Sequence, residues 1–194
     1  WPLKPSEIQH DLRYFLKNGL VGRRPPQSLN AALSMIQNIY RLGIAEISGE
    51  QSFDLFNVFL SPYAKHISED SIKESLALFL SSVGQDLPSG APQAGLSLGL
   101  EYTVPEFLGN VEAIGPGGRT VGVYADYHKE AGMVLDALLE VASQEASVNP
   151  MVSPRLVFKI RSSSERKEET RSRILETHKL ASSHMLPHIA LLPE

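Results

Sequence analysis

The fold class is decided by one stretch of the chain, Leu96-Ser97-Leu98-Gly99-Leu100-Glu101-Tyr102-Thr103-Val104. Apolar side chains alternate along it with small or polar ones, which is the period of a β-strand that buries one face. Pro105 ends the strand, because proline has no amide proton to donate to a sheet. The stretch therefore predicts a half-buried strand near the middle of a chain of 194 residues.

Helical periodicity dominates the sequence before this strand. We predict four helices from apolar residues that recur every three or four positions, over residues 11–17, 28–47, 53–63 and 68–83. Ser28 and Ser68 are placed to cap the second and fourth helices, and Asn18-Gly19 is placed to end the first. Gly43 lies on the apolar stripe of the second helix, which indicates close packing there. Residues 1–84 are thus expected to be helix-rich.

Strands and helices alternate in the rest of the chain. We predict three further short strands, at residues 121–124, 156–161 and 188–192, the last of them buried. An amphipathic helix that Asp126 would cap and a charged helix over residues 164–184 separate these strands. Such alternation is typical of α/β proteins with crossover connections. We therefore expect one α/β domain over residues 1–194, with strand and helix alternating over residues 95–194.

Composition excludes several classes of site. The chain has no cysteine, which excludes disulfides, thiolate nucleophiles, thiolate zinc sites and iron–sulfur clusters. The net charge of −4 argues against a surface for nucleic acid or an anionic membrane. No apolar run reaches the roughly 18 residues of a membrane-spanning helix, and the first residues do not resemble a signal peptide. We expect no nucleic-acid or membrane partner and a cytoplasmic location.

The glycine-rich segment Gly115-Pro116-Gly117-Gly118 is the one candidate phosphate loop. It lacks the Gly-Lys-Ser/Thr ending of a P-loop, and no helix opens directly behind it as the dinucleotide fingerprint requires. A structural turn is therefore favoured, and a backbone cradle for phosphate is the alternative.

Motifs for nucleophilic catalysis and metal binding are also incomplete. Ser97 matches Gly-x-Ser-x-Gly, yet the strand alternation around it argues against a nucleophile elbow. His184 and His188 are four residues apart, but Pro187 interrupts the helix that would align them as metal ligands. We expect neither a catalytic residue nor a metal site in this chain.

Two polar clusters lie beside the aromatic helices. One is Gln9-His10-Asp11 with Arg13, and the other is Gly49-Glu50-Gln51 followed by Asp54 and Asn57. A solvated loop is the simplest interpretation of each cluster taken alone, and a binding site is the alternative.

Several blocks in order resemble the catalytic protein of anaerobic (class III) ribonucleoside-triphosphate reductase, in its archaeal form. The resemblance is carried by residues 10–20, 49–63, 100–108, 115–118, 122–127, 159–161 and 178–182. It implies about half of a ten-stranded α/β barrel, the fold of that family. It also implies a glycyl radical, a cysteine thiyl radical on a central loop, a structural zinc, and dimers that bind effector nucleotides at the subunit interface.

The resemblance also implies candidate nucleotide contacts, at polar positions that match the family. These residues are His10, Asp11, Arg13, Gln51, Asn57 and Gln93, with Gly117 and Gly118 as weaker candidates for phosphate contact. Two departures stand out. Glu7 lies at about the position of a family cysteine, and residues 89–93 replace an Arg-Gly-Gly-Gln loop. Without cysteine, the chain can hold neither the thiyl radical nor the zinc, so we expect no cofactor in it.

Two functions follow from this pattern. The chain is either a segment or subunit of such a reductase, inactive alone, or a non-catalytic relative that binds nucleotide or dimerises as a regulatory or structural protein. The expected partners are a nucleotide and either a second copy or a complementing reductase chain. The start at Trp1, without methionine, favours an excised or processed piece. An unrelated hydrolase has no motif in its favour.

Overall fold

A computed structural model describes residues 4–85, 95–148, 153–161, 168–184 and 187–192. The strands are β1 (Glu7–His10), β2 (Glu50–Phe53), β3 (Gly95–Glu101), β4 (Glu112–Gly115), β5 (Arg119–Val123), β6 (Arg155–Arg161) and β7 (His188–Leu192). The helices are α1 (Leu12–Asn18), α2 (Leu29–Ile44), α3 (Phe56–Ala64), α4 (Glu69–Gln85), α5 (Glu106–Gly109), α6 (His128–Val148) and α7 (Glu168–His184).

Five strands form one sheet in the order β1-β2-β3-β6-β7, and every neighbouring pair is parallel. β4 and β5 form a separate antiparallel hairpin. The expected α/β fold is therefore confirmed, and five parallel strands are half the number in the barrel that the resemblance implies. Because all five run the same way, the last residues of each strand lie at one edge of the sheet.

The two faces of the sheet differ in character. One face is apolar and buried under the helices, with Phe53, Leu98 and Phe158 fully shielded from solvent. The other face, which we call the open face, carries the alternate residues of the same strands. Its members are Glu7, Gln9, Glu50, Ser52, Ser97, Gly99, Glu101, Arg155, Val157, Lys159, Arg161 and His188. A polar sheet face that none of the described helices covers is where a ligand or another protein segment can bind.

β3 is buried on both faces, so the expectation of a half-buried strand is wrong. It is the central strand, and long side chains from its neighbours lie across its small open-face residues. Ser97 is 7% exposed and Glu101 is 1% exposed. Burial on both sides is usual for strands inside parallel sheets, and the sequence period alone does not reveal it.

The aromatic segment was predicted as one helix over residues 53–63, and the structure corrects both ends. Phe53 closes β2, and α3 continues past Pro62 to Ala64. Proline cannot donate to the carbonyl four residues earlier, which is that of Val58. The Ser61 hydroxyl donates to this Val58 oxygen at 2.7 Å, so the helix continues without an unsatisfied carbonyl.

The helix ends test the capping predictions. Ser28 accepts from the Ala31 amide at 3.2 Å and Ser68 from the Ser71 amide at 3.3 Å, so both caps are confirmed. Gly19 ends α1 with a φ of 76°, a conformation that suits glycine. The prediction that Asp126 caps the amphipathic helix is wrong. Asp126 lies inside a 3₁₀ turn and accepts from the Val123 amide, and α6 begins two residues later.

The short strands were the hardest elements to predict. β1 and β2 have four residues each, which is too short for a period of two to be recognised. The strand at residues 188–192 exists, but it lies at the sheet edge and Leu191 is 74% exposed, so the prediction that it is buried is wrong. Residues 164–167 of the charged helix lie outside the described part of the chain.

Candidate functional site

His10 and Gln51 meet beneath the carboxyl ends of β1 and β2, on the helix-covered face. The His10 Nε2 atom lies 2.9 Å from Gln51 Oε1, and the His10 ring stacks on Phe53 at 4.8 Å between centroids. The Gln51 amide nitrogen donates to the Tyr40 carbonyl of α2 at 3.0 Å. Gln51 is fully buried, so it ties α2 to the sheet, and a nucleotide contact by either residue stays a prediction.

Gly43 explains how Gln51 fits beside α2. A Cβ atom at position 43 would lie 2.1 Å from Gln51 Oε1, so only glycine leaves room for the buried amide. The close packing expected from the position of Gly43 on the helix stripe is therefore confirmed.

Gly43→Ala is expected to lower the free energy of unfolding by about 1–3 kcal/mol, because it displaces a buried amide from its hydrogen bonds. Urea unfolding followed by circular dichroism measures the change. Gly84→Ala is the matched control, since α4 also holds a glycine and the nearest atom to its added Cβ is 3.9 Å away. The control should gain up to about 1 kcal/mol from helix propensity. Equal effects of the two substitutions would contradict the packing role of Gly43.

Asn57 clamps the end of β3 to two helices. Its Oδ1 accepts from the Glu101 amide at 3.0 Å, and its Nδ2 donates to the Glu101 carbonyl at 2.9 Å and to the Ala131 carbonyl at 3.2 Å. The side chain is fully buried and uses its hydrogen-bonding capacity within the protein. Nucleotide contact by Asn57 stays a prediction.

Asp11 and Arg13 lie at the start of α1. Asp11 caps that helix by accepting from the Tyr14 amide at 3.0 Å. Arg13 reaches across to β4, where its guanidinium donates to the Glu112 carbonyl at 3.0 and 3.3 Å. These two residues hold α1 and the hairpin in place, and their role as nucleotide contacts is untested.

Gly117 and Gly118 form the expected turn between β4 and β5. Both have positive φ, 74° and 72°, and a Cβ at Gly118 would lie 2.3 Å from the Lys17 carbonyl oxygen. The Gly117 amide donates to the Pro26 carbonyl at 2.8 Å, and the Tyr63 hydroxyl donates to the Gly115 carbonyl at 2.9 Å. The turn packs against α1 and α3, and phosphate contact there stays a prediction. Gln93 lies outside the described residues.

Three ion pairs lie on the open face. Each joins a basic residue of β6 to an acidic residue of β2, of β3 or of the loop after β2. Arg161 contacts Glu101 through two guanidinium nitrogens at 2.7–3.2 Å. Lys159 Nζ lies 2.5 Å from Asp54 Oδ2, and Arg155 Nη1 lies 3.6 Å from Glu50 Oε2.

Sequence analysis did not predict these three ion pairs, although the positions of the basic residues in the sequence indicate them. The three basic residues of β6 stand at positions 155, 159 and 161, which share one face of a strand. The acids that face them come from segments far away in sequence, so the pairs themselves appear only with the fold.

The Glu101–Arg161 pair is the most buried of the three. Loss of solvation raises the pKa of Glu101 above its usual value, and the hydrogen bonds and positive charge of Arg161 oppose this rise. The Arg161 guanidinium also lies 5.0 Å from the centre of the Phe107 ring. The pair therefore fixes the loop after β3 against the end of β6.

Asp54 lies over a gap in the sheet that Gly99 provides. A Cβ at position 99 would be 2.1 Å from Asp54 Oδ1, so any larger residue would displace this carboxylate. The same oxygen accepts from the Leu55 amide at 2.9 Å, and Leu55 has a φ of 54°. A positive φ angle strains the backbone of a leucine, and backbone strain of this kind is found most often at functional sites.

A broad cavity of about 550 Å³ lies over the amino-terminal half of the open face. Glu7 and Glu50 face each other across β1 and β2 in this cavity, and Arg155 and His188 line its far side. The Glu7 carboxylate has no hydrogen-bond or ion-pair partner in the described part of the chain.

A second cavity, of about 290 Å³, lies beside the first half of α2. Leu20, Pro26 and Met35 give it an apolar wall, and Arg23 and Arg24 supply positive charge. Neither guanidinium contacts a carboxylate among the residues that the structure describes, and both side chains are exposed. An apolar wall with free positive charge suits a ligand that joins an aromatic base to an anion.

The described residues hold neither a cluster of metal-binding side chains nor a membrane-spanning helix. They contain no group of three or more histidine, aspartate or glutamate side chains placed to hold a metal ion. Nor does any helix in the same ranges have the length and apolar character needed to cross a membrane. A cysteine zinc site does not fit this chain, since none of its 194 residues is cysteine.

The comparisons with known proteins agree with this fold. A family model described as anaerobic ribonucleoside-triphosphate reductase matches residues 3–192. Among curated proteins, no relative matches. The anaerobic ribonucleotide reductase from Thermotoga maritima with citrate in the active site is 13% identical, with a TM-score of 0.73 over 99% of this chain and 36% of that one.

Two further solved structures give the same result. The Thermotoga maritima enzyme with dATP in the specificity site is 13% identical with a TM-score of 0.73, over 99% of this chain and 34% of that one. Another anaerobic ribonucleotide reductase is 12% identical with a TM-score of 0.74, over 99% of this chain and 31% of that one. The chain spans about a third of the length of these reductases. With its family model matched along almost its whole length, the chain belongs to the anaerobic ribonucleoside-triphosphate reductase family.

Proposed function

We propose that this chain forms one half of the reductase barrel and works only with a segment or subunit that supplies the cysteines and the glycyl radical. The observation that carries this proposal is the polar face of an all-parallel five-stranded sheet, which no described helix covers. Among the described strands, β1 and β7 have no neighbour on their outer sides, and a sheet with unpaired edges is suited to closure by further strands. Removal of a ribose hydrogen atom requires a thiyl or stored radical, and no cysteine exists here to provide the thiol.

The chain's own contribution in this proposal is structural and positional. Asn57 and Gln51 fix the strand ends to the helices, while the ion pairs of β6 hold the side chains of the open face in place. The open face then forms one wall of the space in which a ribonucleotide would be bound and shielded from water. Glu7 replaces a thiol at this wall, so the redox groups must come from elsewhere.

The proposal is tested by assaying ribonucleotide reduction without oxygen, with the chain alone and with any cysteine-bearing protein that co-purifies with it. The expected result is no deoxyribonucleotide from the chain alone and product only from the complex. Product formed by the isolated chain would overturn the proposal. So would a chain that stays monomeric at every concentration in sedimentation experiments and is recovered without a reductase partner.

The second candidate function is nucleotide binding without catalysis, which the cavity beside α2 favours. Arg23 and Arg24 are free to contact phosphate, and the apolar wall can receive a base. The reductase of Thermotoga maritima has been solved in complex with dATP and CTP, which makes these two nucleotides the natural probes.

Under this second function, a saturating nucleotide is expected to raise the melting temperature by about 5–10 °C at a hundred times its dissociation constant. Replacing Arg23 and Arg24 with glutamine should abolish most of that shift, because the phosphates lose their counter-charges. Lys179→Gln is the control, since it removes an exposed positive charge on α7. An unchanged shift in the double variant would place nucleotide binding elsewhere, and no shift in the natural chain would rule out binding by the chain alone.

A further inference from the structure

Helix α7 is held to the protein more loosely than helix α6, which it contacts. Among residues 171–183 of α7, Thr177 is the one side chain that is buried, and Leu175 is 58% exposed. Helix α6 instead buries apolar side chains along its length, from Ala131 to Ala142. Because packing of an apolar face supplies most of the stability of a helix within a protein, α7 has little burial to hold it in place.

Tyr102 lies against α7 with an unsatisfied hydroxyl group. It directly follows β3, and its ring packs against Phe158 of β6 at 5.3 Å between centroids. Tyr102 is 2% exposed, and its hydroxyl faces Thr177 yet makes no hydrogen bond with this or any other described residue. Thr177 directs its own hydroxyl hydrogen to the Arg173 carbonyl, at 2.7 Å. Buried hydroxyls are normally satisfied, so the docked position of α7 carries a free-energy cost.

An ion pair tethers α7 to α6 and opposes this cost. The Arg173 guanidinium donates to both carboxylate oxygens of Asp136, at 2.8 and 3.0 Å. Gly132, one turn earlier on α6, leaves room for the guanidinium, since a Cβ there would lie 2.9 Å from Arg173 Nη2. The Arg173 and Asp136 side chains are 27% and 52% exposed, and ion pairs this exposed stabilise a protein only weakly. A weak surface tether therefore acts against a buried hydroxyl that lacks a partner.

Movement of α7 would also reach β7, because α7 lies in the connection from β6 to β7. Among the described strands β7 has β6 as its one neighbour, and Leu191 of β7 is 74% exposed. A strand with one neighbour and little burial belongs to the part of a protein that opens most readily. The two elements are thus placed to open together.

We propose that α7 is a movable cover, which alternates between a docked position over Tyr102 and a released position in which water solvates the Tyr102 hydroxyl. β7 loosens together with α7, so the two form one cooperative unit that opens while the rest of the sheet stays folded. The process that this motion would regulate, addition of a further strand at the β7 edge, rests on the reductase-segment function proposed above. The motion itself is a property of this chain and is measured on the chain alone.

Hydrogen–deuterium exchange followed by mass spectrometry tests this proposal. In the natural chain we expect the amides of α7 and β7 to exchange faster than those of α6 and β6. Tyr102→Phe removes the unsatisfied hydroxyl, so it should favour the docked position and slow exchange in α7 and β7 about tenfold. Exchange in β1, at the opposite edge of the sheet, should not change. Equal exchange of α7 and α6 in the natural chain, or no slowing in Tyr102→Phe, would overturn the proposal.

Two further variants separate this motion from general stability. Tyr63→Phe is the matched control, since Tyr63 is also buried but its hydroxyl donates to the Gly115 carbonyl. It should speed exchange in the β4–β5 hairpin and leave α7 unaltered. Asp136→Asn weakens the tether and should speed exchange in α7 about threefold. Asp136 is on the surface, so this variant should fold normally, and unchanged exchange of its α7 would contradict the proposal independently of Tyr102→Phe.

Discussion

Arg161→Met is expected to lower the free energy of unfolding by about 3–5 kcal/mol at neutral pH, because it leaves the Glu101 carboxylate buried without a partner. Glu101 is 1% exposed, so water cannot replace the lost guanidinium. Methionine keeps most of the side-chain volume, which separates loss of charge from loss of packing. Urea unfolding of the variant and the natural chain gives the difference.

The pH dependence of this effect has a definite sign. Burial already raises the pKa of Glu101 in the folded chain, and removal of Arg161 removes the groups that oppose the rise. A raised folded-state pKa favours folding at low pH, and this advantage is lost as pH rises through the folded value. The cost of Arg161→Met should therefore be large near neutrality and small below about pH 4, the ordinary range of a glutamate.

A double variant is the control for this prediction. Adding Glu101→Gln to Arg161→Met removes the buried charge itself, and most of the lost stability should return. A cost of Arg161→Met that is the same at both pH values, and that Glu101→Gln does not relieve, would show that packing against Phe107 matters more than charge.

Asn57→Ala is the second substitution with a large expected effect, about 3 kcal/mol of lost stability. Three buried hydrogen bonds disappear, and the groups left behind at Glu101 and Ala131 are shielded from water. Asn30→Ala on the exposed face of α2 is the control and should change stability by less than about 0.5 kcal/mol. The measurement is urea unfolding without any nucleotide present.

The result for Asn57 also decides between two roles. A large loss of stability in the absence of nucleotide makes Asn57 a structural clamp. A normal stability combined with a lost nucleotide-induced melting shift would instead make it a ligand contact, as the sequence resemblance implies. The two readouts are independent, so the roles can be separated.

Sequence patterns predicted the elements that carry a strong period. α2 shows a clear apolar stripe and a serine cap, and both the helix and the cap are present. β1 and β2 were missed because four residues cannot display a period, although they place His10 and Gln51. Long elements are therefore encoded locally, whereas short strands are defined by the neighbours with which they pair.

The candidate site was less accessible to sequence reasoning than the fold. The polar residues chosen from the family resemblance include Gln51 and Asn57, which the structure places in the interior with their hydrogen bonds satisfied. The open-face pairs join β6 to Asp54 and Glu101, which lie 105 and 60 residues away in sequence. No local sequence pattern predicts such a contact, because the two residues come together only when the sheet forms.

The order of strands in the sheet bears on how the chain is made by the ribosome. β3 pairs with β6 from Ser97 and Arg155 onward, so synthesis of the intervening segment separates the two by about 3–12 s at ordinary elongation rates. During this interval β3 has β2 beside it and a bare edge on its other side. Glu101 then lacks its ion-pair partner Arg161, and the apolar face of β3 is not yet fully covered by helices. The half-made sheet is thus the stage at which the nascent chain exposes an unpaired strand edge and apolar surface together.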